Sequence, residues 1–314
     1  MWSQGSHYQV YKELLDGAIT LPNLGKHYVN LKNRTETQPY DRSLPILNQQ
    51  LLIALSANSD LSRLIINGAN QGRYYGTPSV SQLEPAVARL DCQELSDLIT
   101  LFAIRDLIIP DNLPANHIIR DLWEETLHVS SICAAICARL ARHNHTPIKH
   151  GLLAGLVYQV GTIMLLNTYR NKGLSIPNRD HILNIPGNIV ANVSSLAAIQ
   201  WQLSPVIHEC ALRRNQYHEV NFDAFSIIDV LHMAIIVHRN TSSDGSKEVE
   251  LKNSFPFIKA VKNRLIQEEA DHFSQMIKGH SLLIFQGLTP LITKFPNHNP
   301  HHYRTTYLPY QKLG

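Results

Sequence analysis

The uncharged run "GLLAGLVYQVGTIMLL", residues 151–166, carries a tyrosine and a glutamine at its centre, Tyr158 and Gln159. Both are neutral at pH 7. A phenol keeps its proton up to a pKa of about 10, and a carboxamide is only a weak oxygen donor. Upstream, the spacing of residues 117–142 predicts a helix. At 100° per residue Leu122, Thr126, Val129, Ile132, Cys133, Ile136 and Leu140 fall in one stripe, with Glu125 inside it and Glu124 pointing away. A carboxylate on a core face must find a partner, keep some water or stay protonated. The simplest expectation is that Glu125 reaches the rim and pairs with an arginine.

Other reactive side chains are less promising. Cys133 and Cys137 stand four apart on the same helix, without a Cys-x-x-Cys loop, and read as core residues. "RHNHTPIKH" supplies His143, His145 and His150, and the C-terminal tail adds His298, His301 and His302. No carboxylate or cysteine accompanies them at a recognised metal spacing, so both sets read as solvated loops. There is no Gly-x-Ser-x-Gly, P-loop or dinucleotide fingerprint.

The elements that would position these groups are helical. "PILNQQLLIALSANSDLSRLIINGA" (45–69) has apolar residues three and four apart and stops at Asn70, Gly72 and Gly76. "SVSQLEPAVARLDCQELSDLITLFAIRDLII" (79–109) continues the pattern as far as Pro110 and Pro114. In 151–166, Leu153, Leu156, Val157, Val160, Ile163 and Met164 form one face, and Tyr158 projects from the other, among Gly151, Ala154, Gly155 and Thr162. Small residues there predict a single helix buried on both sides. Residues 178–215 predict two helices hinged at Pro205. "DAFSIIDVLHMAIIVHRN" (223–240) predicts another, "TSSDGSK" a polar loop, 256–285 a further helix, and the end an irregular tail. The fold class is all-α.

Bulk properties narrow the function. The 314 residues hold 28 lysines and arginines against 25 acidic residues, a net charge of +3 with no basic stripe, which argues against a nucleic-acid partner. Four scattered cysteines do not make a disulfide framework, and the N-terminus lacks the pattern of an export signal. A cytoplasmic protein is expected. The span 151–169 is long enough to consider as a membrane helix, but its Gln159, Asn167, threonines and glycines favour a buried helix of a soluble protein.

In order along the chain, "LPNL" (21–24), "LIINGANQGRYYG" (64–76), "PSVSQLEPAVARLDCQELSDLI" (78–99), "LWEETLHVSSICAAICARLA" (122–141), "GLLAGLVYQVG" (151–161) and "IQWQLSPVIHECAL" (199–212) resemble the HDOD domain, the HD-related output domain of bacterial signalling proteins. The likeness spans residues 14–215. It implies a multi-helix HDOD bundle with a helical C-terminal extension over 216–314, whose first helix completes the HD-like core. In catalytic HD phosphohydrolases the helix that resembles 151–161 reads Gly-Leu-Leu-His-Asp-Ile-Gly, and its His-Asp pair grips a metal. By this resemblance Tyr158 stands at the histidine and Gln159 at the aspartate. The upstream family histidine falls on Glu125 and the final aspartate on Ile235.

The resemblance therefore implies a degenerate site with no metal or other cofactor, in a non-catalytic signalling module that works through protein partners or a bound small effector. Two alternatives remain at this level. One is a metal-dependent phosphohydrolase with an unrecognised ligand set; the other is a nucleotide-binding regulator that kept the cleft but lost hydrolysis.

Overall fold

The computed structural model describes residues 6–37, 45–71, 74, 76–109, 117–143, 150–174, 181–182, 184–216, 226–241 and 267–292. Among them every regular element is a helix: α1 (Ser6–Leu15), α2 (Lys26–Thr37), α3 (Pro45–Ser56), α4 (Ser59–Gly68), α5 (Leu83–Arg89), α6 (Cys92–Ile108), α7 (His117–His143), α8 (Gly151–Leu156), α9 (Val160–Asn171), α10 (Gly187–Gln200), α11 (Pro205–Arg213), α12 (Ile227–Thr241) and α13 (Gln267–Gly287), followed by a 3-10 turn, Thr289–Leu291. The all-α expectation holds. The polar loop expected at 241–247, apart from Thr241 at the end of α12, the start of the helix expected at 256–285 and the irregular tail, with His298, His301 and His302, lie outside the described residues, as does His145.

Local chemistry explains where several helices begin. Residues 45–69 form two helices rather than one, because the Asn58 side chain accepts the backbone N–H groups of Asp60 and Leu61 at 3.0 and 3.1 Å and so starts α4 afresh. Asp91 and Glu94 make a reciprocal capping box at the head of α6. Pro205 opens α11, as the hinge expectation requires.

Helix α7 is the axis of the molecule. α8, α12 and α13 pack directly on it, α9 touches it, and α10 with α11 lies beyond α9. α2 packs on α6, and α4 with α5 closes that side. Because α7 is covered from several directions, burial is not confined to one stripe: Trp123 is fully buried and Glu124 is 4% exposed. No helix among the described residues is long and apolar enough to cross a membrane.

The tightest crossing is between α7 and α8. A Cβ on Gly155 would stand 2.2 Å from the Cα of Ser130 and 2.7 Å from the carbonyl carbon of Val129, and one on Gly151 would stand 3.1 Å from the Cα of Ala134. Gly155→Ala should gain helix propensity of about 1 kcal/mol yet destabilise the protein by about 2–4 kcal/mol, because the obstacle is backbone. Urea unfolding checks this; an unchanged or raised midpoint would contradict the crossing.

Candidate functional site

Tyr158 and Gln159 do not sit inside a continuous helix. α8 ends at Leu156, residues 157–159 form a turn, and α9 starts at Val160. Gly155 and Gly161 lower the helix propensity on either side of the turn. A Cβ on Gly161 would meet the Val190 carbonyl oxygen at 2.2 Å, so α10 presses on this end as α7 presses on the other. Three polar groups at the break are met from neighbouring elements. Ser194 Oγ accepts from Gly161 N–H at 2.9 Å and donates to the Val157 carbonyl at 3.2 Å. Arg214, itself buried, donates to the Tyr158 carbonyl and holds its guanidinium 5.8 Å from the centre of the Tyr158 ring.

Glu125, on α7, faces this turn with its side chain 20% exposed. Among the described residues it pairs with His238 of α12, whose Nε2 lies 3.3 Å from Glu125 Oε1. An ionised Glu125 can only accept, which makes the Nε2–H form of His238 the donor in this pair. The burial order on α7 also corrects the stripe: Glu124, expected to point away, is the more buried of the two glutamates. Tyr158 meets the same His238 edge-on, with ring centres 6.0 Å apart and planes at 72°. The structure thus joins Glu125 and Tyr158 through one imidazole.

Gln159 turns elsewhere: its Oε1 accepts from Thr162 Oγ1 at 3.0 Å. Ile235 is 1% exposed on α12, one turn before His238, and belongs to the apolar core. His128, which sequence reasoning passed over along with His238, completes the cluster. It lies one turn after Glu125 on α7, 6.3 Å from the His238 ring, and Phe285 of α13 stacks on it with centres 3.7 Å apart and planes at 12°. The signal was in the sequence as Glu125-x-x-His128 and Ile235-x-x-His238, each a one-turn step along a helix.

Burial shapes the charges here. His128 is pulled down to about 4, first by loss of solvent and then by the charge of His238, against an opposing pull from Glu125. The Glu124 carboxyl is pushed up to about 6 by burial, opposed by Arg120. Cys133 and Cys137 are buried free thiols pushed up by desolvation, which fits their reading as core residues. His150 departs from the solvated-loop expectation. Its backbone is left-handed at φ 65°, and its Nδ1 lies 3.1 Å from the buried Asp97, which joins the head of α8 to α6.

The four positions singled out by sequence offer one carboxylate, a phenol, a carboxamide and an aliphatic chain. That set does not fit a divalent centre that activates water, which takes imidazoles and carboxylates. Among the described residues, no group of three or more His, Cys, Asp or Glu side chains is arranged to hold a metal ion.

The HDOD domain family matches residues 47–217, more than half of the chain. The chain belongs to the HDOD family. The matched range excludes "LPNL" at 21–24 and otherwise follows the order of segments described above. No curated protein matches the sequence. Among solved structures, the HDOD fold is shared with a candidate metal-dependent phosphohydrolase from Shewanella amazonensis, with TM-score 0.65 and 17% identity over 88% of this chain and 99% of that one. An HDOD domain protein of unknown function from Geobacter sulfurreducens follows, with TM-score 0.56 and 15% identity over 93% and 100% of the two chains. A second candidate phosphohydrolase from Shewanella amazonensis has TM-score 0.54 and 19% identity over 91% and 97%.

The lowered His128 contributes to the acid response of this HDOD chain. A histidine whose folded pKa lies below its unfolded value contributes stability that is fully present above about pH 6.5 and is lost as pH falls toward 4. Glu124 works the other way, since a raised carboxyl favours the folded state as pH falls through about 6. In His128→Phe the first loss disappears. The stability gap between variant and wild type should therefore shift in the variant's favour by on the order of 2 kcal/mol between pH 7 and 4.5. Chemical unfolding at a series of pH values checks this, and parallel curves would contradict it.

Proposed function

We propose that this HDOD chain is a non-catalytic regulatory module of the bacterial cytoplasm, acting through protein partners or a bound small effector rather than by hydrolysis. The observation that carries the reading is the chemistry of residues 158 and 159. By the resemblance, Tyr158, whose backbone is held by Arg214, and Gln159, whose amide oxygen is engaged by Thr162, stand where catalytic HD phosphohydrolases have a His-Asp pair. Changing even the outer partners of metal ligands costs about ten- to a hundredfold in affinity or activity. Replacing ligands themselves by a phenol and a carboxamide costs more. The charged group that remains, Glu125, is paired with His238 at 3.3 Å.

A second reading, hydrolysis by an unconventional donor set, draws on the cluster of Glu125, His128 and His238 and on the fold shared with candidate phosphohydrolases. One assay separates the two. Wild-type protein with added Mn²⁺ should show no turnover of phosphodiesters or nucleotides above that of Glu125→Ala. The double variant Tyr158→His, Gln159→Asp should also stay inactive, because Glu125 and Ile235 are unchanged. Metal-dependent turnover abolished by Glu125→Ala alone would replace the first reading with the second.

A further inference from the structure

The end of the described chain is fastened into the body by side chains far from it in sequence. Asn67 Nδ2 donates to the carbonyl of Gly287 at 3.0 Å, Arg105 Nη2 to that of Pro290 at 3.0 Å, and Trp123 Nε1 to that of Leu291 at 3.2 Å. Arg105 and Trp123 are fully buried, and Leu288, Leu291 and Ile292 are buried with them. Upstream of this anchor, α13 lies along α7. Phe285 covers the His128 ring at 3.7 Å, and Lys278, Ser281 and Leu282 face His128, Ile132, Val237 and His238. The space left between them is about 20 Å³, room for about one water molecule. Both imidazoles keep an exposed edge, His238 14% of its side chain, but the space between them and α13 is too small for a phosphate group while α13 stays in place.

We propose that α13 and the 3-10 turn after it form an intramolecular plug that closes the cleft between α7 and α12, so that access to His128 and His238 is set by this strap. The anchor supplies permanence and Phe285 supplies the seal. The seal and the anchor adjoin: Phe285 lies two residues before Gly287, whose carbonyl Asn67 holds. The strap closes the cleft whether or not the residues beneath it turn over a substrate, so turnover and access report independently.

Access is read by acylating the native protein with diethylpyrocarbonate at neutral pH, where the low-titrating His128 is uncharged and reactive if reached. Modification is followed residue by residue in mass spectra, with the exposed His27 and His117 as internal references. In wild type His128 should react at least about tenfold more slowly than these two, and Phe285→Ala should bring it to within about threefold of them. Equal rates in wild type would overturn the plug, and so would a folded Phe285→Ala in which His128 stays protected. Should Phe285→Ala fail to fold, Trp123→Phe tests the anchor, since it keeps an aromatic ring and removes the indole donor. Amide exchange across 277–292 should then rise relative to 151–171, and unchanged exchange would overturn the anchoring.

Discussion

Gly155 lies so close to Ser130 that no side chain fits between α8 and α7, and the placement of the whole candidate site depends on this contact. It fixes α8 across the middle of α7, about one turn and a half after Glu125, and the chain leaving α8 meets the same His238 as that carboxylate. The turn at 157–159 follows at once, with its freed carbonyls taken by Ser194 and Arg214. Those two donors come from α10 and from the residue after α11, so the second half of the bundle is bound to the first by the groups that a broken helix leaves open. α12 then closes over the turn and brings His238 between Glu125 and Tyr158.

A second constraint works from the opposite side. Arg105 has no exposure; it is paired with Asp106 at 2.5 Å and Asp60 at 3.6 Å, and it lies over the Phe102 ring. A buried cation is costly unless its donors are met, and the Pro290 carbonyl is one of the groups that meets them. The C-terminal strap is therefore part of the electrostatic balance of the body. Truncation before it would leave a buried guanidinium short of a partner and the Trp123 indole without an acceptor.

Much of this was legible in the sequence, and the rest was hidden for identifiable reasons. The 3.6-residue period gave α6, α7, α10, α11 and α12 nearly as they are, because each presents a long apolar face. The glycines at 151 and 155 gave the close approach to another helix. The break at Tyr158 was not legible, because its stability rests on Ser194 and Arg214, 37 and 56 residues away from the carbonyls they bind. The inversion of Glu124 and Glu125 was missed because a one-stripe pattern assumes one covered side, whereas α7 is covered from several. His150 looked like loop until Asp97, 53 residues earlier, gave it a partner. The resemblance pointed to Glu125 and Tyr158, and both touch His238. His128 and His238 were visible one turn away, but nothing in the spacing alone says that α7 and α12 face each other there.

The central claim is that the side chains of the cleft are engaged with one another: Glu125 with His238, the Tyr158 ring with His238 and its carbonyl with Arg214, and Gln159 with Thr162. The most direct measurement is a calorimetric titration of metal-stripped protein with Mn²⁺, run beside Glu125→Ala. Mutual pairing predicts no saturable heat that distinguishes the two proteins. One-to-one binding to wild type that vanishes in Glu125→Ala would show that Glu125 is free to ligate and would contradict it.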